Sequence, residues 1–163
     1  MTNYFFFWGH TQKNQNNIDK SCLSQWFQRD FVIADITYKN AEQYMMAQKA
    51  LLFEDTIILA KIMAESDPKK IKAFGRLVKG FDPVIWEDNC EKIVYDANFA
   101  KFSQNQDLKD FLLSIEGILV EASPYDKIWG IGLKASDPRA LNQDTWNGLN
   151  KLGFILTDVR EVL

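Results

Sequence analysis

The sequence predicts a mainly α fold, or an α+β fold with a minor short-stranded sheet, built as one compact domain over residues 1–163. Three observations carry this expectation. Five or six segments have helical patterning, and several open on an N-cap residue or a proline. Strand-like apolar runs are few and short. The chain has 163 residues, 47% hydrophobic and 25% charged, which is ordinary composition and length for a single globular domain.

Taken in order, Tyr4 to Trp8 is an aromatic run that reads as a buried strand. Gln12 to Lys20, rich in Asn and Gln, reads as a surface loop. Phe31–Ile33 and Ile36–Tyr38, separated by Ala34-Asp35, form a tight hairpin. Asn40 offers an N-cap for a strong helix, Ala41 to Leu52. Ile57 to Glu65 is a second helix. Ser66-Asp67-Pro68 starts a third, Lys69 to Val78, with the proline at its first position. Asp82-Pro83 opens a long fourth helix running to Ser103, and Leu108 to Ser114 is a short fifth. Gly117 breaks the pattern, and Ile118 to Ala122 reads as a buried strand. Ser123 to Asp137 is too rich in Gly, Pro and Asp for regular structure. It is a long loop of the kind that often carries function. A helix from Thr145 or Trp146 to Leu152 then precedes a short strand or helix, Phe154 to Leu163.

Composition excludes several classes of function. The formal charge of −3 argues against broad electrostatic capture of nucleic acid, although a locally basic cleft is compatible with it. No segment has the roughly 18 apolar residues of a membrane span. The N-terminus lacks the basic start and apolar length of a signal peptide, so a cytoplasmic location is expected. Cys22 and Cys90 show no CxxC spacing and His10 is the single histidine, so no zinc or other metal site is expected. Both thiols read as reduced. Aromatic residues reach 13%, several beside Gly, Asn, Gln or Asp, a mixture found both in ligand pockets and in ordinary cores.

Four stretches are candidates for chemistry. In the helix Ala41–Leu52 the apolar residues fall on almost every face, so it should be central. Glu42 and Lys49 lie seven residues apart on one face, about 10.5 Å along the axis. They either converge on a small ligand, lie on a solvated stripe or pair with groups elsewhere. In Glu121 to Gly132, Asp126 is an acid, a base, a ribose-hydroxyl acceptor or a turn cap. Trp129 and Gly130 beside it suit a close backbone approach to a ligand. Arg76, next to Gly75, is either a phosphate clamp or a surface cation at a helix C-terminus. Trp8-Gly9-His10 and Leu23-Ser24-Gln25-Trp26-Phe27 build a pocket wall or part of the core.

Together these segments resemble the NADAR, or YbiA-like, family. The matching pieces include Phe7 to His10, Leu23 to Phe27, Ala41 to Ala50, Gly75-Arg76, Lys101 to Asn105, Leu119 to Ser123, Asp126 with Ile128-Trp129-Gly130, and Trp146 to Gly153. They occur in the family's order along nearly the whole chain. The resemblance implies a compact, mostly helical domain that cleaves N-glycosidic bonds without a metal or redox cofactor. Its implied substrate is a ribosylamino-pyrimidine phosphate of early riboflavin synthesis or a related ADP-ribosyl compound. The alternatives are removal of ADP-ribose from guanine in nucleic acid, or a non-catalytic module that binds ADP-ribose or a nucleotide. A membrane partner is not implied.

By the same resemblance Glu42 and Lys49 match the catalytic helix, and Asp126 and Trp129 the ligand-binding loop. Where the family often carries a basic residue after Trp86, this chain has Cys90. The chemistry suits the set. Cleavage of C1′–N passes through an oxocarbenium-like state that a carboxylate stabilises, or for which it activates water. A neutral lysine amine is the alternative nucleophile, attacking C1′ and opening the sugar to a Schiff base. Arg76 would hold phosphate, and Trp129, Trp26 or Trp8 would stack on base or ribose.

Overall fold

The computed structural model describes residues 2–163. Six α-helices and two two-stranded sheets form among the described residues, so the mainly helical expectation holds. The chain divides into two compact units, residues 25–105 and residues 2–24 with 106–163. No described helix is long and apolar enough to cross a membrane.

In the unit of residues 25–105, β2 (Phe31–Ile33) and β3 (Ile36–Tyr38) pair antiparallel. Ala34 and Asp35 both take positive φ, as a two-residue hairpin turn of matching twist requires. Helix α1 (Ala41–Leu52) packs against α2 (Thr56–Ala64), α3 (Pro68–Gly75) and α4 (Pro83–Gln104). Its first seven residues are all buried, as an apolar pattern on every face demands. Each of these helices has a side-chain cap. Asn40 accepts from the Gln43 N–H, Asp55 from Ile58, Asp67 from Lys69, and Asp82 from Val84. Gly75 lets α3 approach α1, because a Cβ there would stand 1.9 Å from Met46 Sδ. Tyr38 and Tyr44 meet edge to face at 4.9 Å between ring centroids.

In the other unit, β1 (Tyr4–Phe7) and β4 (Ile118–Glu121) run parallel, with Phe7 opposite Glu121. Helix α5 (Gln106–Ser114) precedes β4, and α6 (Lys151–Val162) packs on it. Val120, Ala122, Ile131, Leu133 and Ala140 form a core that Tyr4, Phe6 and Trp146 flank.

The C-terminal expectation needs correction. Residues 146–150 are not helical; short 3-10 turns occupy 138–141 and 143–145, and one helix spans Lys151–Val162. The backbone explains why. The N–H groups of Asn147, Leu149, Asn150, Lys151 and Leu152 donate to the carbonyls of Ile131, Lys127, Gly130, Ile128 and Trp129. A helix through 146–150 would take those donors away. Asn150 turns the chain into α6 at a φ of 52°. Its side chain donates to the Leu119 carbonyl at 3.0 Å and accepts from the Glu121 N–H at 2.9 Å.

Candidate active site

The first turn of α1 holds Glu42 in a dry position, 6% exposed. That burial removes the solvated-stripe reading for this carboxylate. The location still suits an anion, since the helix N-terminus carries partial positive charge. Two turns on, Lys49 is half-buried with Nζ 4.6 Å from the Phe81 ring centroid and 5.6 Å from that of Trp86. Burial pushes the Lys49 amine below the ordinary lysine range. The Glu42 carboxylate pulls it back up, and the Arg76 guanidinium pushes it further down. The three residues therefore share one electrostatic neighbourhood.

Arg76 closes α3. Its backbone N–H contacts the carbonyls of Lys72 and Ala73, and its side chain is exposed. Pro68, Ile71 and Gly75 form the buried edge of α3. Lys69, Lys72 and Arg76, one position on from each, form an exposed basic stripe. Among the described residues no carboxylate lies within ion-pair distance of these three cations. Lys72 Nζ stands 6.0 Å from the ring of Trp26, which joins that half-buried indole to the stripe. Phe81 and Trp86 escaped the sequence reading. They follow α3 in a loop and at the start of α4, where apolar residues carry no periodic signal of function. Cys90 is buried, so that position supplies no cation.

In the unit of residues 2–24 and 106–163, Trp8 follows β1 and is half exposed, with its ring 5.8 Å from that of Tyr125. Gly9 has a φ of 92° with open space around it, so glycine is there for its backbone conformation. His10 is exposed beside it.

The loop after β4 is organised by Asp126. Its Oδ1 accepts from the N–H groups of Ile128 and Trp129, both at 2.9 Å, and its carbonyl accepts from Gly132. One carboxylate oxygen thus shapes the loop, as the turn-cap alternative anticipates. Gly130 allows the loop to close, because a Cβ there would come within 2.9 Å of the Glu121 carbonyl. Trp129 is half-buried and Tyr125 is exposed. The Tyr125 ring contact with Trp8 is a further feature the sequence did not reveal. Among the described residues no group of three His, Cys, Asp or Glu is placed to hold a metal.

Comparison with known proteins identifies the family. The NADAR domain model matches residues 6–163. The N-glycosidase R617 of Acanthamoeba polyphaga mimivirus is 44% identical over 164 residues, covering 97% of this chain and 95% of that one. The chloroplastic riboflavin biosynthesis protein PYRR of Zea mays is 32% identical over 132 residues, 76% of this chain and 19% of that longer protein. The NMR structure of the E. coli protein YbiA superposes with a TM-score of 0.78 at 25% identity, covering 99% of this chain and 84% of that one. With a family model spanning nearly the whole sequence and a fold shared with YbiA, the chain belongs to the NADAR family and is an N-glycosidase.

Proposed function

We propose that the enzyme hydrolyses the C1′–N bond of a phosphorylated ribosylamino-pyrimidine, an intermediate of riboflavin synthesis. The observation that carries this reading is the grouping of buried Glu42 and half-buried Lys49 along one face of α1 with exposed Arg76 at the end of α3. A buried carboxylate on the same helix face as a partly desolvated amine suits C1′–N cleavage, and a solvent-facing guanidinium suits phosphate. The name of the maize relative supports the substrate class.

Lys49 is the nucleophile in this reading. Its neutral amine attacks C1′, the C1′–N bond breaks, and the Glu42 carboxylate carries a proton from the newly bonded Nζ to the leaving nitrogen. Ring opening gives an imine between Nζ and C1′. Water adds to that imine, with Glu42 carrying the water's proton to Nζ, and releases ribose phosphate as the free sugar. The sum is substrate plus water giving amine plus sugar. Asp126 is a third catalytic residue. Trp8, Gly9, His10, Trp26, Arg76, Trp129 and Gly130 bind substrate. These assignments follow the family resemblance, as does treating residues 1–163 as one domain. Trp86 and Phe81 join the set through their contact with Lys49.

The basic stripe favours a second reading, removal of ADP-ribose from guanine in nucleic acid. Lys69 to Arg76 spans about 10.5 Å along the helix, longer than one phosphate needs. A mass-spectrometric panel decides between them. Purified protein is incubated with the ribosylamino-pyrimidine phosphate and with an oligonucleotide ADP-ribosylated on guanine. Release of ribose phosphate from the first supports the metabolite reading. Turnover of the oligonucleotide alone overturns it in favour of the second.

A further inference from the structure

Two polar atoms near the start of α1 are sealed from solvent and lack a hydrogen-bond partner. They are Gln25 Nε2, a donor, and Asn98 Oδ1, an acceptor. Their parent side chains are otherwise firmly held. Asn98 is fully buried on α4, and its Nδ2 donates to the Val94 carbonyl and to Gln25 Oε1, both at 2.8 Å. That double donation fixes which end of the Asn98 amide is nitrogen.

Gln25 reaches the catalytic helix through its backbone. Its carbonyl accepts the Glu42 N–H at 3.0 Å. That N–H is one of the open donors in the first turn of α1, and the neighbouring one, on Gln43, goes to Asn40 Oδ1 at 2.8 Å. A continuous chain of bonds therefore runs from α4 through Asn98 and Gln25 to Glu42.

We propose that one internal water bridges Gln25 Nε2 and Asn98 Oδ1, and that the completed amide pair makes Gln25 and Asn98 positioning residues for Glu42. One water meets both needs, because its oxygen accepts from Nε2–H and one of its hydrogens goes to Oδ1. The carboxamides are joined by a single 2.8 Å bond, so the two open atoms, Nε2 and Oδ1, belong to one bonded amide pair. A bridging water spans such ends with two bonds of about 2.9 Å. Left dry, the pair would carry the desolvation cost of two buried polar atoms.

Burial also decides the occupant. A substrate ring does not reach atoms closed to solvent, whereas a water trapped on folding stays. The same enclosure excludes this water as the nucleophile, which must be renewed at every turnover. The positioning role rests on the reading of Glu42 as catalytic; the water does not.

The test has a structural arm and a kinetic arm, both on the full chain. A high-resolution crystal structure of the wild type should show one water within hydrogen-bonding distance of both atoms, and Asn98→Leu should lose it. A dry pair overturns the proposal. In kinetics, Asn98→Leu and Gln25→Met should lower kcat by about ten- to a hundredfold, the scale of a small misplacement of a reacting group, with KM unchanged. In a Glu42→Gln background neither should lower kcat further. Unchanged kcat, or equal losses with and without Glu42, overturns the positioning role. Should Asn98→Leu fail to fold, Gln25→Met carries the kinetic arm, since it keeps the backbone carbonyl that binds Glu42. Full activity in Glu42→Gln alone removes Glu42 from the mechanism and the positioning role with it, while the density still decides the water site.

Discussion

Glu42 and Lys49 differ in how their surroundings treat charge. Glu42 is buried where a helix N-terminus favours an anion, so its neutral isostere keeps the shape and packing and forfeits only that charge contribution, about 0.3–1 kcal/mol. Glu42→Gln should keep the thermal midpoint within a few degrees and lower kcat by about 10²-fold or more, the scale of general acid–base catalysis. Melting curves beside steady-state kinetics check both halves. Lys49 is destabilised as a cation by burial, so its folded pKa lies below 10.5. The neutral amine therefore gains population, and activity rises, along a pH limb centred below that value. The same shift has a stability consequence. Between the folded pKa and 10.5 the unfolded chain binds more protons, so stability from this group increases with pH across that window. Lys49→Arg should abolish both the limb and turnover, because a guanidinium stays protonated. Borohydride added during turnover should leave ribosyl mass on Lys49 of the wild type. Active turnover with no adduct would instead assign the attack to water.

At the scale of elements, the contact of α6 with β4 depends on a glycine. A Cβ at Gly153 would fall 2.2 Å from the Leu119 carbonyl oxygen and 2.3 Å from Asn150 Oδ1. In an isolated helix Gly→Ala is worth about 1 kcal/mol of stabilisation. Here overpacking against a strand backbone should outweigh it, and Gly153→Ala should destabilise by about 1–3 kcal/mol. Urea unfolding reads the sign directly. Helices α1, α3 and α4 were legible because each begins with a local capping residue, Asn40, Asp67 or Asp82, whereas the Asp55 cap of α2 emerged only in the structure. Residues 146–150 were not legible as loop. Their donors are satisfied by carbonyls of 127–131, a pairing that no local pattern announces. Asp126 shows the same limit, since the turn it caps was one of several readings equally consistent with its sequence neighbours.

Across the whole molecule the net charge is −3, yet Lys69, Lys72 and Arg76 line one exposed edge of α3. A phosphate-rich strand lying along all three should show a KM that rises with salt, with a logarithmic slope of about 2 for three contacts to a single strand. A monophosphate substrate held by Arg76 alone should show a slope below about 1. Arg76→Ala should raise KM for a phosphorylated substrate more than for its dephosphorylated form. Equal effects on both would make Arg76 a structural cation.

Local chemistry determined much of this protein. Caps, prolines and apolar periodicity placed the hairpin and the helices up to α5. The motif order along the chain marked the family, and with it Glu42 and Lys49 as a pair on one helix face. Tertiary structure decided the rest. It set the dry environment of Glu42, the aromatic contacts of Lys49 with Phe81 and Trp86, the charge of Arg76 beside that amine, and the tie from Asn98 through Gln25 to the start of α1. The physical reason is range. A helix start is written within four residues, whereas desolvation and a partner for a buried N–H or C=O come from segments tens of residues away.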